Sequence, residues 1–392
     1  MYPNVQSDPP SGRHRGVRRW LVWAAVAFIC LSALILTSAS LLRPLAGAST
    51  QPASRVVAHV QQVQGKRDTP HATSAHHQLV DTLVTTEVLT TGCGKRSLFT
   101  PGTTGVATLS SGGRLRSYRL HIPVGYQPTR SYPLVLNFHG HWSTAQGQER
   151  YTGFSTLADR DGFLVVYPQG AVGPDGATGW DSGGSNQPST NDVLFVSDVL
   201  NQLQASLCVD ATRIYATGFS NGGGMTSVLA CRLAGRIAAF ASVSGSYFPL
   251  TGGCHPSRAA SILEFHGTSD TVVPYLGRPR HQEQGALAWT QAWASRDGCR
   301  AAPHDLTLSR WVTEMVWIGC HAGAQVEHFQ VRGGIHAWPG GKSASSVPPG
   351  DRALNASVII WQFFVQHPLS AGTKPVATPT NASLERRQIS VH

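Results

Sequence analysis

The sequence predicts an α/β fold: a single domain with a mostly parallel central sheet and helices on both faces. The stretches that favour strands are continuously apolar rather than alternating, which is typical of strands buried on both faces. Helix-like stretches lie between several of these strands, as parallel connections require. The predicted strands are Tyr118–Ile122, Leu134–Phe138, Phe163–Tyr167, Ile214–Thr217, Phe240–Val243 and Ile262–Phe265, and the predicted helices are Asp192–Leu207, Gly222–Leu233, Gln284–Arg296 and Ala353–Val365.

Composition allows a large core and argues against nucleic acid as a partner. The 392 residues are 41% hydrophobic and only 13% charged, so charge repulsion does not keep the chain disordered. The formal net charge is +10, but residues 1–50 contribute +4 and residues 369–392 contribute +2. The body between them has no run of Lys and Arg with interleaved aromatic residues, so we expect no nucleic-acid binding.

The N-terminal segment predicts export. Four Arg between positions 13 and 19 precede residues 20–42, which carry no charge and are long enough to span a bilayer. Basic residues on this side predict a cytoplasmic N-terminus and an exported body. The segment is either an uncleaved membrane anchor or a long signal peptide, for which Ala46-Gly47-Ala48 fits the cleavage pattern. In both cases we expect an extracellular protein, secreted or anchored to the outer face of the cytoplasmic membrane.

Composition divides the chain into four segments. Residues 1–48 form a basic stub with the anchor or signal peptide, and residues 49–92 form a flexible polar spacer. Residues 93–368 form the folded body, and residues 369–392 form a disordered tail. We find no internal repeat and no separate module for binding a polymer, and we expect a monomer.

Cysteine usage agrees with export. Six cysteines lie after the apolar segment, and none forms a C-x-x-C pair. An even number without metal-type spacing favours disulfides in an oxidising compartment over a zinc site. The sequence does not choose among the pairings of Cys93, Cys208, Cys231, Cys254, Cys299 and Cys320.

The strand Ile214–Thr217 leads into a candidate nucleophile. It is followed by Gly-Phe-Ser-Asn-Gly-Gly at 218–223 and then by a helical stretch, so a G-x-S-x-G motif lies between a strand and a helix. The glycines allow a tight turn that exposes the Ser220 hydroxyl above the sheet. The backbone N–H of Asn221 can then stabilise an oxyanion.

A serine hydroxyl needs a base to take its proton and an acid to orient that base. In this architecture the chain order is serine, acid, histidine. Asp270 lies just past the strand that ends at Phe265. His336 lies in a glycine-rich loop between a strand ending at Val331 and the last helix. We therefore predict the catalytic triad Ser220–Asp270–His336.

Other candidates receive supporting roles. Gly140 or His141, in the loop after the second predicted strand, is expected to supply the second oxyanion N–H. Asp192 precedes a helix and is predicted to be its cap or a support for the site rather than the acid. Trp180 and Trp338 are candidate substrate-binding residues that could stack on a sugar or an aromatic acyl group, with wall or core packing as the alternative.

Three further histidines are weaker candidates for the base. His139 and His266 each precede a glycine at a strand end, where a structural hydrogen bond is favoured, and His321 is the third. No H-E-x-x-H motif and no paired metal-ligand spacing occurs, so we expect neither a catalytic metal nor a cofactor.

Three loops in combination resemble a known family. Gly-Phe-Ser-Asn-Gly-Gly at 218–223, Gly-Thr-Ser-Asp-Thr-Val-Val-Pro-Tyr at 267–275 and His-Ala-Trp-Pro-Gly at 336–340 are similar to the extracellular polyhydroxybutyrate depolymerase and feruloyl esterase group of α/β-hydrolases. The resemblance spans roughly residues 118–366. It implies the α/β-hydrolase fold and a serine esterase that acts on polymer-linked esters. The implied substrates are feruloyl or acetyl esters of xylan, or short-chain polyhydroxyalkanoates.

The same resemblance implies how the cysteines pair. It suggests the disulfides Cys231–Cys254 and Cys299–Cys320, which leaves Cys93 with Cys208.

Two other functions stay open. A peptidase of the same fold would use the same triad, although the body lacks the extra propeller-like or helical domain that commonly gates such enzymes. A surface protein that binds polysaccharide through a silent site is disfavoured, because Ser220, Asp270 and His336 are all present.

Overall fold

The computed structural model describes residues 90–184, 187–300, 302–342 and 347–370. Contacts divide the chain into Met1–Leu79 and Val80–His392, and every described residue belongs to the second unit. The apolar segment at 20–42 and the tail from 371 lie outside the described residues, so their assignments stay predictions. In the described part of the chain, no helix is long and apolar enough to cross a bilayer.

The described residues form one ten-stranded sheet and two short ribbons. The strands are β1 (Thr103–Ser111), β2 (Arg114–Ile122), β3 (Tyr132–Phe138), β4 (Leu164–Pro168), β5 (Ala171–Val172), β6 (Thr178–Gly179), β7 (Val209–Phe219), β8 (Ala239–Val243), β9 (Ser261–Gly267), β10 (Gly277–Arg278), β11 (Glu283–Gln284), β12 (His304–Ser309), β13 (Val312–Trp317) and β14 (Val326–Val331). The order in the large sheet is β1-β2-β4-β3-β7-β8-β9-β14-β13-β12. The six central strands are parallel, and two antiparallel strands flank them on each side. The predicted fold class is confirmed.

Helices cover both faces of this sheet. They are α1 (Ala145–Thr152), α2 (Phe154–Asp161), α3 (Asp192–Ser206), α4 (Asn221–Arg232), α5 (Ala286–Arg296), α6 (Pro349–Arg352) and α7 (Ala356–Gln366). Successive side chains of a strand point to opposite faces. Leu134 and Leu136 therefore join the core under α3, α4 and α5, whereas Val135 joins the core under α2 and α7. Burial on both faces explains why these strands are apolar at every position.

The start of α3 differs from the prediction. The cap is Asn191, whose side-chain oxygen accepts the Leu194 N–H at 2.9 Å, so the predicted cap role of Asp192 is wrong. Because Asn191 already satisfies this N–H, the Asp192 carboxylate is free to turn inward. It pairs with Arg116 of β2 at 2.8 Å in a nearly fully buried ion pair.

Three disulfides connect the described residues. The structure joins Cys93 to Cys208, Cys231 to Cys254 and Cys299 to Cys320, which are the pairs that the resemblance implies. The first closes the largest loop, with a sequence separation of 115 residues, and holds the start of the body. Thr90 also belongs to this start, because its Oγ1 donates to Leu207 O at 2.9 Å. The body therefore includes residue 90, which lies slightly before the predicted end of the spacer at residue 92. The chain-entropy model gives such crosslinks about 3–5 kcal/mol each.

Glu327 on β14 makes the stability of the body depend on pH. Burial, with a smaller contribution from Glu314, raises the pKa of Glu327 to about 8. The folded protein therefore keeps a proton that the unfolded chain releases above its ordinary carboxyl pKa, and stability falls between about pH 4.5 and pH 8. We expect Glu327→Gln to raise the free energy of unfolding by about 2 kcal/mol at pH 8 and to change it little at pH 4.5. Urea unfolding at both pH values measures this, with the exposed Asp305→Asn as control. An equal gain at both pH values would contradict the assignment.

Candidate active site

Ser220 lies in the turn between β7 and α4. Its backbone has φ 57° and ψ −120°, a conformation that costs a non-glycine residue energy and is found where surrounding contacts enforce it. The Ser220 N–H donates to Val243 O at 2.9 Å, and Ser220 O accepts the Gly224 N–H at 3.0 Å. A Cβ at Gly222 would lie 2.3 Å from Phe138 O, so only glycine allows α4 to begin this close to β3. This is the turn that the G-x-S-x-G motif predicts.

Asp270 and His336 form a hydrogen-bonded pair. The His336 Nδ1–H donates to Asp270 Oδ2 at 2.7 Å. The other carboxylate oxygen, Oδ1, accepts the N–H groups of Val272 and Val273 at 2.9 and 2.8 Å. The Asp270 side chain is fully buried, whereas that of His336 is 15% exposed. Since Nδ1 donates to the carboxylate, Nε2 of a neutral His336 is left to accept a proton.

The fold brings this pair next to the serine turn. Ser220, Asp270 and His336 follow β7, β9 and β14, whose carboxyl ends share one edge of the sheet because these strands are parallel. The His336 ring packs on Phe219, the residue before the serine, with 4.8 Å between ring centroids. Ser244, directly after β8, also contacts the His336 loop, because its Oγ donates to Ala337 O at 3.3 Å. The three residues of the predicted triad thus lie at one end of the sheet.

Gly140 lies against the candidate nucleophile. A Cβ at this position would come 3.2 Å from Ser220 Cβ, so the missing side chain lets the loop backbone approach the serine. Among the described residues, the backbone N–H groups of Gly140, His141 and Asn221 donate to no protein acceptor. Unused N–H groups beside a nucleophile can stabilise an oxyanion.

The side chain of His139 orients the peptide group between Gly140 and His141. Its Nε2 accepts the Gly170 N–H at 2.9 Å, and its Nδ1–H donates to Gly140 O at 2.8 Å. Burial lowers the pKa of His139 to about 4, so the ring is neutral and this tautomer is the one present. Because the C=O and N–H of a trans peptide point in opposite directions, the His141 N–H is directed away from His139. His139 therefore fixes the orientation of the Gly140–His141 peptide, and both residues stay candidates for the second oxyanion donor.

Asn221 has a second role that the sequence does not indicate. Its buried side chain accepts the Trp180 N–H at 2.8 Å through Oδ1 and donates to Ser182 Oγ and Gln187 Oε1, both at 2.9 Å. The residue after the serine therefore also fixes the segment Trp180–Ser182 next to the site. No local sequence motif indicates these contacts, because the partners of Asn221 are distant from it in the chain.

The prediction that Trp180 and Trp338 contact substrate is wrong. They are 0% and 2% exposed, and their indole N–H groups donate to His139 O at 2.8 Å and to Ser357 Oγ at 3.0 Å. Both are core residues with satisfied polar atoms, so neither offers a face for stacking. Trp142 instead is 70% exposed and follows His141 directly, in a left-handed conformation with φ 60°. The sequence indicates Trp142 only by its position, as an aromatic residue directly after Gly140 and His141 of the predicted oxyanion loop.

Residues that could hold a metal are not grouped here. In the ranges that the structure describes, no three His, Cys, Asp or Glu side chains are arranged to bind an ion. His141 pairs instead with Asp175, at 2.9 Å between Nε2 and Oδ2. This contact links the loop of Gly140 and His141 to the loop that carries Asp175.

Comparison with known proteins gives relatives that carry esterase names. A family model described as Esterase PHB depolymerase matches residues 116–273. Feruloyl esterase B of Piromyces equi is 34% identical over 240 residues, covering 58% of this chain and 44% of that protein. A bifunctional acetylxylan esterase/xylanase of Neocallimastix patriciarum is 30% identical over 284 residues, covering 69% of this chain and 37% of that protein. A probable feruloyl esterase C of Aspergillus clavatus is 30% identical over 220 residues, covering 55% of this chain and 71% of that protein.

The extent of these matches differs among the relatives. The chain spans less than half the length of the first two and about seven tenths of the third. The family model includes Ser220 and Asp270 and ends before His336. Together with the fold and the serine turn, these matches show that the chain belongs to the Esterase PHB depolymerase family.

Proposed function

We propose that this protein is a serine carboxylic-ester hydrolase with Ser220, His336 and Asp270 as its catalytic triad. The observation that carries the proposal is the 2.7 Å hydrogen bond between Asp270 and His336, formed beside a serine held in the strained turn. The esterase names of the relatives support the reaction class.

The mechanism follows from the positions of these groups. His336 Nε2 takes the proton of the Ser220 hydroxyl as its oxygen attacks the ester carbonyl. Asp270 keeps the other imidazole proton on Nδ1 and stabilises the imidazolium that forms. The N–H groups of Asn221 and of Gly140 or His141 stabilise the tetrahedral oxyanion. The alcohol leaves with the proton from His336, and water then releases the acid from Ser220 through the same steps in reverse.

We further propose esters on a plant polysaccharide, feruloyl or acetyl groups on xylan, as the substrates. The names of the relatives, feruloyl esterase and acetylxylan esterase, support this class. The exposed indole of Trp142 beside the oxyanion loop offers an aromatic surface for the planar acyl group of ferulate. We therefore infer a preference for the aromatic acyl group over acetate.

We also propose that the enzyme acts as a monomer outside the cytoplasm. The three disulfides support this location, because such bonds persist in oxidising compartments. The export segment at 20–42 would secrete the body or keep it at the outer face of the membrane.

A substrate panel with one variant tests the proposal. We expect the wild-type protein to release ferulate and acetate from xylan, and Trp142→Ala to raise KM for a feruloyl ester about five- to tenfold while leaving that for an acetyl ester unchanged. Liquid chromatography measures both acids, and Ser220→Ala is the inactive control. Clearing of a hydroxybutyrate polyester suspension without acid release from xylan would show that polyesters, rather than xylan esters, are the substrates. Cleavage of peptides but no esters would contradict the proposed function.

A further inference from the structure

A buried charged cluster lies directly behind Asp270. Glu264 and His266 on β9 and His328 on β14 are each at most 1% exposed. The Glu264 carboxylate lies 2.8 Å from His266 Nδ1 and 2.6 Å from His328 Nδ1. A buried carboxylate is costly unless it is paired, so the protonation of the two rings matters. The proposed mechanism uses none of these three groups.

The contacts of His266 define its protonation. Its Nδ1 faces Glu264 Oε1 and its Nε2 faces Val273 O, both at 2.8 Å. A carbonyl oxygen only accepts, so Nε2 carries a proton. Burial by itself raises the pKa of Glu264, but the two imidazoles outweigh it and lower that pKa to about 2. Glu264 is therefore an ionised acceptor, both ring nitrogens of His266 donate, and the ring is an imidazolium.

The other ring of the cluster, His328, lies between Glu264 and Tyr275. Its Nδ1 lies 2.6 Å from Glu264 Oε2, and its Nε2 lies 2.8 Å from Tyr275 OH, whose oxygen accepts the Gln330 Nε2–H at 2.9 Å. Burial raises the pKa of Tyr275 to about 12, so the phenol keeps its proton. Among the described residues, the polar contacts of His328 are with Glu264 and Tyr275, and Asp270 is not one of them.

His266 connects this cluster to the candidate active site. Its Nε2 lies 3.5 Å from Asp270 Oδ2, the oxygen that accepts the His336 Nδ1–H. His266 Nε2 donates to Val273 O, and the Val273 N–H in turn donates to Asp270 Oδ1 at 2.8 Å. The imidazolium therefore faces the catalytic carboxylate and also holds the backbone turn that orients it.

The other titratable groups nearby do not replace this charge. Tyr247 OH lies 3.2 Å from Glu264 Oε1, and burial raises its pKa well above the ordinary value, so it stays neutral. The ring of Tyr275, also neutral, lies 6.0 Å from that of His266. Asp351 accepts the N–H of Ile335 beyond Asp270 and could add only negative charge. Arg278 also reaches this turn, where its Nη2 donates to Val272 O, but its side chain is 38% exposed and its Nη1 pairs with Glu283 Oε2 at 2.6 Å. Among the described groups behind Asp270, His266 is the buried cation that lies against the carboxylate itself.

We propose that His266 is a positioning residue of the esterase: an imidazolium that fixes the Asp270 turn and balances the charge behind the Asp270–His336 pair. This proposal rests on the proposed function. A cation near Asp270 opposes protonation of His336, which must be neutral to act as the base. The charge of His266 therefore keeps His336 neutral, and the enzyme active, at a lower pH than would be possible without it.

The kinetic test removes the charge in two ways. We expect His266→Gln to lower kcat about tenfold with KM within about twofold, and to move the acidic limb of the pH profile about half a unit or more to higher pH. Glu264→Gln removes the carboxylate that keeps His266 charged, so the limb should move in the same direction. The matched control is His328→Gln, which alters the ring of the same buried cluster that does not contact Asp270. Its acidic limb should stay in place.

The outcomes separate charge from packing. A purely structural role for His266 predicts that all three variants lose stability and keep the acidic limb unchanged, which would overturn the proposal. A limb that moves equally in His328→Gln would also overturn it.

A measurement without catalysis makes the proposal independent of activity. In the full-length Ser220→Ala protein labelled with ¹⁵N-histidine, we expect both ring nitrogens of His266 to keep the chemical shifts of a protonated ring at pH 8. The signals are assigned by their loss in the His266→Gln variant. A neutral ring at pH 8 would refute the imidazolium. If the wild-type protein hydrolysed no ester, the proposed function would fail, while this spectrum would still decide the charge of His266.

Discussion

Ser220→Ala should lower kcat for ester hydrolysis by about 10⁵- to 10⁶-fold, because it removes the atom that forms the acyl-enzyme. The remaining rate reflects oxyanion stabilisation and substrate binding, which the variant keeps. The turn should persist, since its backbone hydrogen bonds to Val243 and Gly224 do not involve the hydroxyl. The measurement is the initial rate on a soluble aryl ester, with circular dichroism to verify the fold.

Covalent labelling provides the control for this experiment. A fluorophosphonate should add to the wild-type protein and to Ser295→Ala, which loses an exposed serine hydroxyl on α5, but not to Ser220→Ala. Mass spectrometry locates the adduct. Folded Ser220→Ala protein that keeps more than about a tenth of the wild-type rate would falsify the assignment of the nucleophile.

The second large effect concerns stability. Asp192→Asn should lower the free energy of unfolding by about 3–5 kcal/mol, because it leaves Arg116 buried without its counter-charge. The side chains of Arg116 and Asp192 are 7% and 1% exposed, and the Arg116 guanidinium lies 3.9 Å from the centre of the Phe195 ring. Asp192 also accepts the Asp181 N–H at 2.9 Å, so the loss should loosen the segment beside the site. Chemical denaturation measures the change.

Two variants distinguish the buried pair from an ordinary surface pair. Asp161→Asn removes the partner of Arg160, whose side chain is 61% exposed, and should change the stability by less than about 1 kcal/mol. The double variant Arg116→Met with Asp192→Asn should recover much of the loss, because no unpaired charge remains buried. A loss in Asp192→Asn no larger than in Asp161→Asn would contradict this account.

The central strands and the serine turn could be predicted because their signals are local. A strand buried on both faces must be apolar at successive positions, and β3 and β9 are buried along their whole length. The edge strands carry weaker signals. β12 is almost entirely exposed and β1 alternates between exposed and partly buried residues, so neither forms a continuous apolar run. The sequence therefore predicts neither strand.

The candidate site divides in the same way. The glycines around Ser220 and the positions of Asp270 and His336 after strand ends follow from backbone geometry and chain order, which the sequence displays. The burial of Trp180 and Trp338 depends on His139 and Ser357, partners distant in the chain, and a sequence does not show such contacts.

By itself, the sequence determined the fold class, the serine turn and the order of the candidate acid and base, because hydrophobic runs and tight turns are local properties of a chain. Only the tertiary structure decided which aromatic side chains face solvent and which polar groups meet in the cluster behind Asp270. Glu264 meets His328 through the parallel pairing of β9 with β14. The charge of His266 then follows from which acceptors surround its ring, and long-range packing alone brings those acceptors together.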